Sequence, residues 1–137
     1  MNKNTIISLT FAILSVCAVF VGNIVLLVLG NILTYPTPEV DPEVPGTAFG
    51  ALFVAVGNAL TMIFVSALDF VLTSVIVYSL SYYSNKYAKC AIEELTSYGA
   101  SIKLPKALRI VSIIEMIISA TCVIAVGLAL IAILTFM

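Results

Sequence analysis

The sequence predicts an all-α integral membrane protein of three transmembrane helices, with its N-terminus in the cytoplasm and its C-terminus outside. Three observations lead there. Of 137 residues, 62% are hydrophobic and 9% charged, and the mean hydropathy is +1.21, well beyond the range of soluble domains. Charge is confined: none lies between Asn4 and Pro38, only Asp69 between Val44 and Asn85, and only Glu115 from Ile110 to Met137. All six basic residues, Lys3, Lys86, Lys89, Lys103, Lys106 and Arg109, precede the first of these stretches or separate the second from the third.

The first stretch, about residues 5–34, exceeds the roughly 20 residues that cross a hydrocarbon core. Lys3 with Val16 and Ala18 also fits the outline of a signal peptide, but the apolar run continues well past Ala18, which favours an uncleaved span. Ser8, Ala12, Ser15, Ala18 and Gly22 recur at intervals of four, three, three and four. That spacing puts small side chains on one helix face, where another backbone can come close, and predicts a helix packing face.

A connection over 35–47 follows. It holds four of the five prolines, the acids Glu39, Asp41 and Glu43, and no basic residue. Pro36 ends the first span, and Pro38, Pro42 and Pro45 discourage helix between the spans. The alternating acids are a weak calcium signal, because extended proline-rich chain repeats every three residues and acids two apart do not line up on it. Metal and cofactor are expected to be absent.

The second stretch, about 48–83, is again long enough to span. Its continuation, 84–106, is charged, and Ala88, Ala91, Ile92, Leu95 and Tyr98 keep a helical spacing that Lys86, Lys89, Glu93 and Glu94 largely avoid. This predicts an amphipathic cytoplasmic helix stopped at Gly99. Pro105 suits the first turn of the third span, about 107–136. The basic residues assign the N-terminus and 84–106 to the cytoplasm, and the proline connection and C-terminus to the outside. The cell membrane is the expected location.

Polar residues inside the spans are the candidate site. Asn58, Thr61, Ser66, Asp69 and Thr73 share one side of the second span, and Ser112, Glu115, Ser119 and Cys122 a narrower side of the third. Asp69 lies about 20 Å from the end of its span and Glu115 about 9 Å in from Arg109. Beyond Arg109 at the mouth of the third span, no Lys, Arg or His accompanies them in any span. Carboxyl groups so placed are costly. They bond to Ser, Thr or Asn, share or carry protons, or meet a cation on another subunit. Asp69, Glu115, Asn58, Ser66 and Ser119 are therefore the residues expected to form a proton-handling or intersubunit site.

Catalysis is not expected. The chain has no histidine, and Cys17, Cys90 and Cys122 are scattered, which leaves no zinc motif, disulfide framework or histidine-dependent nucleophile. Phosphate-binding glycine loops and nucleophile elbows are also missing. The cations are those topology requires, so no nucleic-acid partner is expected. Hydrophobic helices joined by a short basic cytoplasmic segment, here 48–137, resemble the pilins of conjugation-type secretion systems, which implies a filament subunit; the first span lies outside that two-helix pattern.

The leading expectation is a non-enzymatic small helical subunit of a larger membrane assembly, with lipid and other membrane subunits or copies of itself as partners. A pilin-like filament subunit and a homo-oligomeric proton or cation conducting protein are the alternatives.

Overall fold

A computed structural model describes residues 2–44 and 46–136. The chain is all-helical among these residues: α1 is Lys3–Leu33, α2 is Thr47–Ser97 and α3 is Lys103–Phe136. Each is long and apolar enough to cross a membrane. Charge-free runs of Leu, Ile, Val and Ala sustain them, since a helix satisfies its own backbone groups wherever water is excluded. α2 is unbroken for 51 residues, so the apolar second span and the charged segment after it form a single helix, about 75 Å long.

The ends have local causes. No helix forms from Thr34 to Gly46 among the described residues, and Pro45 lies outside them. Asp41 folds this connection back on itself: its Oδ1 accepts a hydrogen bond from Glu43 N at 3.0 Å, and its carbonyl accepts one from Thr47 Oγ1 at 2.8 Å. At the other end of α2, Gly99 has φ +68°. Ala100 N donates to Leu95 O at 2.9 Å and Gly99 N to Thr96 O at 3.2 Å, the paired bonds of a Schellman cap with its glycine in the left-handed region. Pro105 sits buried in the first turn of α3, where its missing N–H costs nothing.

The chain divides into two units, Met1–Gly22 with Phe70–Met137, and Asn23–Asp69. In the first, contacts run in opposite order along α1 and α2, Ser8 meeting Ser84 and Gly22 lying against Thr73, while Phe11 stacks on Tyr83 and Tyr87 with centroids 5.7 and 5.9 Å apart. α2 and α3 are likewise antiparallel there. The buried residues of α2 in this unit are Ser74, Val77, Ser81, Ser84, Ala88 and Ala91, a strict alternation of three and four. On α3, Pro105, Leu108, Ser112 and Ser119 are buried and Glu115 is half-buried at the intervening position. On α1, Thr5, Ser8, Ser15 and Gly22 are buried, with Ala12 and Ala18 half-buried. Three such repeats are the pattern of left-handed helix packing, here built mostly from serine, alanine and glycine, with Val77 and Leu108 among them. Small seam residues allow the backbones to approach closely, the main source of helix association in lipid.

The second unit is held by α1 and α2 through different residues. Asn58 donates from Nδ2 to Tyr35 O at 2.7 Å and accepts from Tyr35 N at 2.9 Å, clamping the peptide just beyond α1. Gly30 packs under the Met62 thioether.

Candidate functional site

The site is built on three helices of the first unit. Ser15 is buried on α1, Ser81 is buried on α2, and Glu115 comes from α3 one seam step beyond Ser112. Ser81 Oγ donates to Glu115 Oε2 at 2.6 Å, and Ser15 Oγ lies 2.8 Å from the same oxygen. The carboxyl group thus ties all three helices at one level.

One further contact gives this cluster its chemistry. Ser15 Oγ is also 2.7 Å from Ala12 O, so its single proton faces two acceptors. With Glu115 as a carboxylate, Ser15 divides that proton between Ala12 O and Oε2. A proton placed on Oε2 finds its acceptor already in position at Ser15 Oγ, which frees the Ser15 proton for Ala12 O while Ser81 still donates to Oε2. Each of the three contacts then has a proton of its own. The cluster has room for one added proton without moving a heavy atom.

One layer away toward the start of α1 is a purely serine cluster. Ser8 Oγ donates to Ser84 O at 2.7 Å and Ser84 Oγ returns a bond to Ser8 O at 2.9 Å. Ser112 Oγ reaches Ser84 Oγ at 2.9 Å and donates to Leu108 O at 2.7 Å. Reciprocal hydroxyl-to-carbonyl bonds require the two backbones to lie close, which explains why these positions are Ser and not Leu. Farther along the seam, a Cβ on Gly22 would overlap the Thr73 side chain. Beyond the serine layer, Asn2 Nδ2 and Asn4 Nδ2 donate to the two oxygens of Glu94 at 2.9 and 2.8 Å, which pins the start of α1 to the charged end of α2.

Of the residues singled out from the sequence, Ser119 is buried and Glu115 half-buried in the first unit, while Asn58, Ser66 and Asp69, all half-buried, belong to the second. Asn58 is engaged with the Tyr35 backbone. On α1, Ser8, Ser15 and Gly22 line the seam, and Ala12 and Ala18 lie half-buried at its side. Ser74, Ser81 and Ser84 did not figure among the expected site residues. Their signal is the alternation of three and four from 74 to 91, which becomes visible once small residues rather than polar ones are traced.

Among the described residues, no three His, Cys, Asp or Glu side chains group as a metal site. The class that fold and site define is a protein of three helices, among the described residues, each long and apolar enough to cross a membrane, with a serine-lined seam closed around one carboxyl group. No family model, curated protein or solved structure matches the chain.

Proposed function

We propose that the protein is a non-enzymatic small helical subunit of a larger multi-subunit membrane assembly, oriented with its N-terminus and the basic segment 84–106 in the cytoplasm. The observation that carries this reading is Asn23. Its amide is exposed on α1, about 15 Å before the helix ends at Leu33 and within charge-free sequence on both sides. An amide facing lipid lacks partners, and a second helix that bonds to it supplies them. The neighbouring apolar surface supports the same view: no residue of α3 beyond Ser119 is buried, and in the most apolar 18-residue stretch of each helix only 17%, 11% and 6% of residues are buried. Lipid covers such a surface as well as protein does, so Asn23 rather than the apolar area points to a partner. Cross-linking in native membranes tests the reading. A ladder of species above the single chain is expected, and a single chain alone overturns it.

A second reading, a homo-oligomer that conducts protons or cations, draws on the proton-ready geometry at Glu115. Flux into reconstituted vesicles decides it: the reading requires loss of flux in Glu115→Gln or Asp69→Asn, and unchanged flux in both removes it.

A further inference from the structure

We propose that the cavity between the charged end of α2 and the start of α3 binds an anionic phospholipid, its phosphate held by Lys106 and Arg109 and an acyl chain lying along the isoleucines. The cavity has a volume of about 340 Å³ and is lined by Ile92, Ile102, Lys106, Arg109, Ile110 and Ile113. Lys106 and Arg109 are one turn apart on α3 and so share a face. Arg109 Nε is buried and has no hydrogen-bond partner. A guanidinium is always charged and donates only, and Arg109, half-buried, is one of the residues that line the cavity. Phosphate supplies oxygens matched to the guanidinium fork, and Lys106 adds a second point charge.

The rest of the lining determines what else the occupant must carry. No acid lines the cavity, and every residue besides the two cations is isoleucine. A free anion satisfies the cations and leaves the isoleucine walls bare, whereas a phospholipid meets both. The location fits as well: α3 carries its three cations, Lys103, Lys106 and Arg109, before its apolar run begins at Ile110, and basic pockets between helices at this level are where lipid headgroups bind. Topology alone accounts for cations at this end. It does not account for two cations and four isoleucines lining one cavity.

The inference rests on reading the chain as membrane-embedded, and the test separates the two. The full chain in mild detergent is titrated with phosphatidylglycerol, phosphatidylcholine and inorganic phosphate, with native mass spectrometry as readout. Phosphatidylglycerol is expected to be retained in preference to the other two. Lys106→Gln with Arg109→Gln weakens that retention by roughly tenfold or more, as loss of charged hydrogen bonds does. Lys3→Gln with Lys86→Gln, neither of which lines the cavity, changes net charge equally and leaves retention within about twofold, because screened charges outside the cavity contribute little. Equal losses in the two double variants, equal binding of inorganic phosphate, or no preference for phosphatidylglycerol each overturn the proposal. Flotation with liposomes reads membrane insertion independently: a Lys106→Gln, Arg109→Gln protein that floats normally but loses the lipid shows the site failing while the membrane reading stands.

Discussion

Replacing the Glu115 side chain and deleting it have different consequences, because its partners are hydroxyls and not cations. In Glu115→Gln the amide oxygen at the Oε2 position accepts from Ser81 Oγ and Ser15 Oγ as the carboxylate oxygen does, and stability in detergent is expected to stay within about 0.5 kcal/mol. Glu115→Ala leaves Ser81 without its acceptor and opens the seam, a loss of roughly 1–3 kcal/mol. Equilibrium unfolding in a mixed-detergent titration reads both. A Gln variant as damaged as the Ala variant shows that a negative charge, and not a hydrogen-bond pattern, is what the seam requires. Gly22 makes a second residue-level case. Gly22→Ala is expected to destabilise because its Cβ overlaps Thr73, and Thr73→Ala in the same chain restores most of the loss. Gly30→Ala is expected to be mild, since it meets only the flexible end of Met62. Damage at Gly30 equal to that at Gly22 contradicts this packing.

Between elements, the seam predicts register. In a background lacking Cys17, Cys90 and Cys122, paired cysteines at Ser8 and Ser84 are expected to cross-link on mild oxidation, because the two positions exchange hydroxyl-to-carbonyl bonds. Val16, exposed on α1, gives no cross-link with a cysteine at 84. The opposite result displaces the α1–α2 register. At the end of α2, Gly99→Ala forces a side chain into φ +68° and is expected to cost about 1–2 kcal/mol, with Gly99→Asn milder. Of the five small residues singled out on α1, Ser8, Ser15 and Gly22 are buried. The helices were legible in the sequence because charge-free length is a local property. The stop at Gly99 was legible for the same reason. Which serines meet Glu115 was not, since pairing depends on the register between helices far apart in the chain. The α2 seam was hidden by a competing pattern: the polar arc from Asn58 to Thr73 drew attention to Asp69, whereas the helix turns Ser74, Ser81 and Ser84 inward where it meets α1 and α3. Asp69 belongs to the second unit and Glu115 to the first.

For the molecule as a whole, three apolar helices bury few of their own side chains, and the seam that joins them in the first unit is made of small residues. Hydrophobic burial within the chain is therefore a minor part of its stability, and close backbone contact with hydroxyl hydrogen bonds takes a larger share, each bond contributing on the order of 0.6–1.7 kcal/mol in lipid. On the proposed reading as a subunit, neighbours would pack on its outer faces without repacking its interior. The exposed Asn23 amide marks where one such neighbour is expected, and the most direct test is native mass spectrometry of the protein extracted from its own membrane in mild detergent, compared with Asn23→Leu. The account predicts the chain bound to at least one further polypeptide, a copy of itself or a different subunit, with that association weakened in Asn23→Leu. A single chain carrying only lipid and detergent, identical in both proteins, would contradict it.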